Sequence, residues 1–463
     1  MTGSVLWLRR DLRRADHPAL VAAASEGPVL PLVVIDATLW EGAGVVRRAW
    51  YAASVRACAE AYDGQLVLRV GDPRKVVPAV AREVGAQAVH VTRESTPFGR
   101  RRDAQVEREL SHRDIRFIST GTPYAVGPGL VVKQDGAPYQ VFTPFRAAWR
   151  DHGWPAPAGA PANLAVAHLE SDREAWSFVD DALSVEGLPP LPEPGEAAAL
   201  RKWREFLDGE LAAYDTDRDR PDRPGTSQLS PHLKVGAIHP RTLLADLAGR
   251  RDRAADTFVS ELAWREFYAD VLWHNPSSAW RDLKPTLSGL AYDEADDLVE
   301  AWRQGRTGYP IVDAGMRQLL ATGWMHNRVR MITASFLTKD LHVWWPIGAR
   351  HFLDHLVDGD LASNSHGWQW VAGTGTDASP YFRVFNPVTQ GKKFDPDGAY
   401  VRRWAPELRG VPAKFIHEPW RMARSEQLRA GCVIGQDYPA PIVEHAAARE
   451  RVLAAYKAVK RRD

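Results

Sequence analysis

Four groups of residues in this 463-residue chain have types and spacings suited to chemistry. Glu261, Trp264, Arg265 and Tyr268 stand at i, i+3, i+4 and i+7, which puts a carboxylate, an aromatic plate, a guanidinium and a phenol on one face of a helix. Such a face can be a ligand wall, and it can equally be the mixed face of an ordinary amphipathic helix. In the run 324–331, Asn327, Arg330 and Met331 share a second helical face and offer an amide, a cation and a soft apolar group. Arg328, taken alone, reads as exposed helix surface. His326 has no Ser or Cys beside it to activate, which argues against nucleophilic catalysis.

The third group is the run 358–370, in which Asp358 and Asp360 flank Gly359 and are followed by Asn364, Trp368 and Trp370. Paired carboxylates around a glycine can ligate a metal, although a hard cation wants more oxygen ligands than these, and they can also cap a helix. The fourth is Gly225-Thr226-Ser227-Gln228-Leu229-Ser230-Pro231, a turn of small hydroxyls entering a helix. Its N–H and O–H groups suit a phosphate, and a simple N-cap explains them equally well.

These groups need a frame to position them. Near-continuous apolar runs at 4–9, 28–36, 65–70, 87–92 and 115–119 alternate with helical patterns at 47–62, 73–84 and 100–112, which predicts a doubly wound parallel α/β sheet. Residues 1–124 form this domain. Residues 125–195, rich in Pro, Ala and Gly, predict a long connection with one short helix near Glu174. From 196 to 463 the patterns are helical, at 196–213, 240–250, 256–273, 293–304, 311–322, 328–337, 349–357 and 443–459, which predicts an all-α domain. No GxGxxG or Walker-type phosphate loop is present.

The composition is 45% hydrophobic and 25% charged, a globular balance that excludes collagen-like and disordered chains. Lys and Arg (59) cancel Asp and Glu (58), so any basic surface is local. Two cysteines, Cys58 and Cys432, exclude a disulfide framework. Arg9, Arg10, Arg13 and Arg14 occupy the place where a signal peptide needs its apolar segment, and the run 29–35 is too short to span a bilayer. The expectation is a soluble cytoplasmic protein. Of 18 Trp, nine lie between Trp264 and Trp370. A large helical core explains many of them, but their interleaving with Arg, Asn, Asp and Glu is unlike a plain core.

Taken in order, the strings LWLRRDLRRADHPAL, GTSQLSP, ELAWREFY, TGYPIVDAGMRQL, TGWMHNRVRMITASFLTKDL, DGDLASNSHGWQWVAGTGTDASPYFRVFNP and YPAPIVEH resemble the photolyase/cryptochrome family, most closely its class I cyclobutane pyrimidine dimer DNA photolyases. The resemblance implies an α/β antenna domain joined by a long linker to a helical FAD- and DNA-binding domain. It implies light-driven electron transfer from reduced anionic FAD to a flipped-out pyrimidine dimer, a reaction that needs no acid, base, nucleophile or metal. Tyr214, Thr226, Ser227, Gln228, Leu229 and Ser230 match positions that hold FAD phosphates. Arg265, Asn327, Arg330, Asp358, Gly359, Asp360 and Asn364 match positions around its ring and ribityl chain, with the Asn364 amide facing the reactive nitrogen. Glu261 matches the residue that hydrogen-bonds the dimer carbonyls, Trp264 and Trp370 its aromatic walls, and Asn327 and Met331 its lining. Arg328 and Arg383 match phosphate contacts, so that DNA is the implied partner.

Several positions depart from the family pattern. Phe258 stands where a Trp is usual, which is expected to alter packing only. The segment Asn364-Ser365-His366-Gly367-Trp368 keeps the key Asn. The family's electron relay would start at Trp368 and pass through Trp345, and its outermost position is Tyr292 in place of Trp. At the antenna, Phe98-Gly99 replaces the Asn-Glu pair of folate-binding members, and Thr96–Arg100 is similar to deazaflavin-binding ones, so the expectation is an 8-hydroxy-5-deazaflavin type chromophore or an empty pocket rather than folate. The rival readings are a cryptochrome-type photoreceptor and a (6-4) photolyase. Survival of Glu261, Trp264, Asn327 and Trp370, and the lack of a long tail, favour dimer repair over the first, and Met325-His326-Asn327 favours it over the second. A monomer without an obligate protein partner or a membrane is expected.

Overall fold

The apolar runs of the first 120 residues pair into one parallel sheet of five strands: β1 (Ser4–Leu8), β2 (Val29–Ile35), β3 (Val67–Val70), β4 (Ala88–Val91) and β5 (Arg116–Ser119). Their order is β3-β2-β1-β4-β5, with Ser4 of β1 opposite Val29 of β2 on one side and Ala88 of β4 on the other. Every residue of β1, β2 and β4 is buried, because crossover helices cover both faces, and this is why those strands read as unbroken apolar runs. The chain turns from one half of the sheet to the other between β1 and β4. Loops beyond the carboxyl ends of such neighbours are where open α/β sheets bind ligands.

This computed structural model describes residues 3–161, 163–287, 289–377 and 383–460, so residues 378–382 of the string ending in Asn386-Pro387 lie outside it. The chain divides into two compact units. One comprises residues 1–212, 227–276 and 357–362, and the other residues 213–226, 277–356 and 363–463.

The first unit holds the sheet, its helices Val45–Ala61, Pro73–Glu83 and Pro97–Ser111, and the helix Arg253–His274. The connection differs from expectation. Besides Arg173–Leu183 it contains a second helix, Phe142–His152. Phe142, Phe145 and Trp149 all face inward at helical spacing, and Pro144 sits in the first turn, where a missing N–H costs nothing. The Pro and Gly content of residues 125–195 masks this spacing.

The second unit is helical. Pro310–Thr322, Asn327–Ser335, Trp345–His355 and most of Leu361–Ala372 pack around a core that includes Trp302, Trp345 and Trp368. Asn327–Ser335 runs directly into a π-helical turn, Phe336–Asp340, every residue of which is buried. Much of the tryptophan excess is core: Trp7, Trp50, Trp149, Trp203, Trp302 and Trp345 are among the most deeply buried large side chains. Trp264 and Trp370 are half-buried and Trp344 is 39% exposed. Among the described residues no helix is long and apolar enough to cross a membrane.

Candidate functional site

In the first unit the helix Arg253–His274 starts at Asp252, whose side chain accepts from the Ala255 N–H at 2.8 Å. Glu261, Trp264, Arg265 and Tyr268 form a half-buried stripe, while Leu262, Ala263, Glu266, Phe267 and Asp270 face the core. The stripe is therefore a real face. Glu266 is an acid on the apolar side, and its carboxylate gathers N–H groups of the connecting loop: Ala125 at 3.1 Å, Val126 at 3.0 Å, Gly127, and the Trp149 indole at 2.9 Å. Burial pushes its pKa up, and those donors pull against the rise. Asp270 does the same for Gly129, at 2.7 Å. These bonds fix the loop that in turn holds Arg265, which donates to the Pro123 carbonyl (2.9 Å) and the Leu233 carbonyl (3.2 Å) and lies over the Tyr124 ring at 4.5 Å.

Trp264 stacks face to face on Phe142, with centroids 3.6 Å apart and planes 9° from parallel. One indole face is thus backed by the unpredicted helix, and the plate is held rigid for whatever meets its other face. Phe258 is buried between Trp203 and Phe206, each 5.3 Å away, a packing position as expected.

The hydroxyl turn leads into the short helix Ser230–Val235, with Gln228 at a positive φ of 47°. Ser230 Oγ donates to Asp358 Oδ2 at 2.6 Å. Asp360 meets Arg10 at 3.1 Å and Lys234 at 3.8 Å, and Arg10 also reaches Glu94 at 3.5 Å. Burial and the nearby Arg10 bring Lys234 down to about 8, against the pull of Asp360. Gly359 is buried between the two carboxylates' positions in the chain. Among the described residues no cluster of His, Cys, Asp and Glu could hold a metal ion.

In the second unit His326 caps Asn327–Ser335 by accepting the Arg328 N–H at 3.2 Å, and burial lowers its pKa to about 4, so it is a neutral cap. Asn327 is exposed; Arg330 and Met331 are half-buried beside it. Arg330 Nε donates to the Met325 carbonyl at 2.8 Å. Arg328 is committed within its own unit: it meets Asp219 at 2.8 and 3.2 Å and lies over the Phe394 ring at 4.5 Å. Arg383 is exposed and lies 5.5 Å from the Phe385 ring. Tyr214 is buried under Arg218, at 5.5 Å, and Thr226 is half-buried.

Asn364 Nδ2 donates to the Ala349 carbonyl at 2.9 Å. A carbonyl can only accept, so this contact fixes the amide orientation and directs its oxygen the other way. One turn on, Trp368 lies against Gly348, where an added Cβ would stand 2.2 Å from its Cη2. Gly348 follows Trp345 by three residues on Trp345–His355, so Trp368 packs one turn from Trp345. Trp345 is fully buried, and its Nε1 donates to Asp282 at 2.6 Å. Trp302 is 6.0 Å from Trp368 and bonds the Thr333 carbonyl at 3.0 Å. Tyr292 packs among Leu287, Leu290, Val452 and Tyr456, its ring 5.6 Å from His342. Trp370 is half-buried against the helical core.

Within each unit these groups fit what a flavin dinucleotide demands. The first unit supplies a half-buried guanidinium anchored by carbonyls, leaving its charge for an anion, with a hydroxyl turn. The second supplies an amide whose oxygen is oriented as an acceptor and buried indoles within one helical turn. Sequence reasoning missed Glu266, Asp219, Asp282, Gly348 and Trp302. Only Glu266 carried a usable signal, an acid in the apolar stripe of its helix; the others act through contacts remote in sequence.

Two family models match the chain: DNA photolyase over residues 4–162, and the FAD binding domain of DNA photolyase over residues 258–458. The deoxyribodipyrimidine photo-lyase of Agrobacterium fabrum is 39% identical, with 99% of this chain and 98% of that protein covered. Among solved structures, a bacterial class III photolyase from Agrobacterium tumefaciens superimposes with a TM-score of 0.91 at 38% identity, covering 100% of this chain and 98% of the other. An archaeal photolyase from Sulfolobus tokodaii, solved with two FAD molecules, gives a TM-score of 0.82 at 28% identity, covering 99% and 100%.

Proposed function

The chain belongs to the DNA photolyase family, and from that premise we propose how its residues divide the work of repair. Its activity is light-driven splitting of cyclobutane pyrimidine dimers in DNA, a carbon–carbon lyase reaction dependent on FAD. The observation that carries this reading is 39% identity to a photo-lyase over 99% of the chain, with Glu261, Trp264 and Arg265 standing together as one half-buried face.

Bound FAD supplies the light absorption and the electron that opens the ring. The chain's part is to bind, orient and exclude water. Tyr214, Thr226, Ser227, Gln228, Leu229 and Ser230 hold the phosphates; Arg265, Asn327, Arg330, Asp358, Gly359, Asp360 and Asn364 hold the ring and its ribityl chain. The Asn364 oxygen accepts a hydrogen bond and so favours a ring nitrogen that carries a proton. Ser230 neutralises part of the charge of Asp358 by donating to it, which keeps the carboxylate oriented.

Glu261 hydrogen-bonds the base carbonyls of the dimer, and Trp264 and Trp370 offer faces for stacking, Trp264 with Phe142 behind it. Asn327 and Met331 complete the lining. Arg383 and Arg328 neutralise phosphates. The relay that reduces the cofactor in light starts at Trp368 and passes through Trp345, with Tyr292 at its outer position. The string at 96–100 supports a deazaflavin-type antenna over folate, and the two flavins of the archaeal relative make a second flavin the other class to test. The protein acts as a cytoplasmic monomer.

The test is repair of a defined thymine dimer with the cofactor chemically reduced beforehand. Cleavage in light and none in darkness is expected, and Glu261→Ala should weaken repair more than DNA binding. Equal cleavage in darkness would overturn the electron-transfer mechanism. An absorption spectrum of the same preparation identifies the antenna.

A further inference from the structure

Asp282 lies in the loop before Tyr292, outside every motif of the sequence. Its Oδ1 accepts the Nε1–H of Trp345 at 2.6 Å, a short charge-assisted contact to an indole that is fully buried. The loop is not free to drift. Gln369, itself buried and next in sequence to Trp368, accepts the Leu283 N–H at 2.8 Å and donates to the Ser278 carbonyl at 2.8 Å. Ser365 Oγ donates to the Ala279 carbonyl at 2.8 Å, His366 sits 3.4 Å from Ser278 Oγ, and the Lys284 N–H reaches the Thr374 carbonyl at 2.9 Å. Thus the helix that carries Trp368 also stitches down the loop that carries the partner of Trp345.

An indole that loses an electron becomes a strong acid at its N–H. A carboxylate held on that N–H both stabilises the positive charge and accepts the proton, and in a buried site the effect is larger than in water. Tyr292, the outer position expected from the family pattern, is poorly equipped for the same task. Burial, with Asp282 and Tyr456 close by, pushes its phenol pKa far up, and its neighbours are mainly Leu287, Leu290 and Val452.

We propose that Asp282 is the proton acceptor that makes Trp345 the resting place of the oxidising equivalent during light-driven reduction of the cofactor. The proposal rests on the reading of Trp368 and Trp345 as the relay. Trp368, after giving one electron to the photoexcited oxidised flavin, takes one electron from Trp345. The Nε1–H bond of Trp345 breaks and an O–H bond forms on Asp282, leaving a neutral indole radical. A soluble one-electron reductant such as a thiol later restores the electron, and the proton returns to Nε1.

The test uses the FAD-loaded protein and transient absorption with light and dark water (H2O and D2O). The native protein should show a deprotonated Trp radical whose formation slows in D2O. Asp282→Asn keeps an acceptor but removes the charge; it should give a protonated radical, no isotope effect and roughly tenfold lower long-lived yield, the size of one charge-assisted hydrogen bond. Asp282→Glu should restore all three. A readout independent of photochemistry is the Trp345 indole N–H resonance, assigned by its loss in Trp345→Phe, which should move upfield in Asp282→Asn. If Trp368→Phe blocks photoreduction while Asp282→Asn leaves radical protonation and yield unchanged, the role of Asp282 is refuted and the relay stands. If Trp368→Phe leaves photoreduction intact, the relay itself is wrong and this proposal falls with it.

Discussion

Replacing Gly348 by Ala should be harmful for a reason opposite to the usual one. In a helix interior Gly→Ala ordinarily stabilises by about 1 kcal/mol. Here the new Cβ would stand 2.2 Å from Trp368 Cη2, 2.6 Å from its Cζ3 and 2.5 Å from Leu337 Cδ2, where ordinary contact begins at 3.4 Å. Trp368 is 3% exposed and Leu337 fully buried, so neither can swing into solvent. Overpacking of this kind costs typically 1–3 kcal/mol, which leaves a net loss of roughly 0–2 kcal/mol after the propensity gain. The displaced indole should also alter light-driven reduction of the cofactor. Because Phe lacks the two offending ring atoms, Gly348→Ala should cost less in a Trp368→Phe background. Urea denaturation of the wild type, both single variants and the double variant should therefore show a coupling of about 1 kcal/mol. Strict additivity, or a Gly348→Ala protein about 1 kcal/mol more stable than wild type, would refute the packing of Trp368 on that helix turn.

Three further outcomes follow from the site. Glu266→Ala leaves three loop N–H groups and the Trp149 indole without their acceptor, and should cost roughly 3–5 kcal/mol in urea denaturation with loss of retained FAD, because the loop that anchors Arg265 loosens. Arg383→Ala should lower the slope of log affinity for DNA against log salt by about one, Arg328→Ala by less because Asp219 is released, and Asp219→Asn should tighten binding; a DNA titration across salt concentrations reads all three. Burial brings Lys339, bonded to the Ala372 carbonyl and the Tyr456 hydroxyl, down to about 7. The unfolded chain holds that proton up to its ordinary value of 10.5, so the unfolded state binds more protons between 7 and 10.5 and stability from this group rises with pH across that window. Relative to Lys339→Met, the wild type should gain a few kcal/mol between pH 7 and 9.5, and equal pH dependence in denaturant titrations would show that Lys339 keeps its proton and so exclude the buried neutral amine.

The sheet was legible because its information is local. Runs such as Val29–Ile35 are apolar throughout only if both faces are covered, and that requirement alone implies parallel strands with crossover helices. The helical half was legible for a similar reason, since spacing of three and four names a face. Glu261, Trp264, Arg265 and Tyr268 keep the half-buried stripe that their spacing predicted. The helix Phe142–His152 was less legible because the Pro, Ala and Gly around it mask the spacing of Phe142, Phe145 and Trp149.

What the tertiary structure decided is which side chains act on one another across long separations. Periodicity places a residue on a face, but it carries no term for the partner that face meets. Nothing near Arg328 in sequence foretells that Asp219 takes up its charge, and nothing near Trp345 foretells a carboxylate 63 residues away at Asp282. Nor does the glycine of Trp345–His355 announce that an indole from another helix needs the space of its missing Cβ. The sequence thus determined the elements and the chemical types at their faces, because backbone hydrogen bonding and burial act at short range. Charge pairing, proton acceptance and steric fit are properties of two surfaces together, so they existed only once the chain had brought those surfaces into contact.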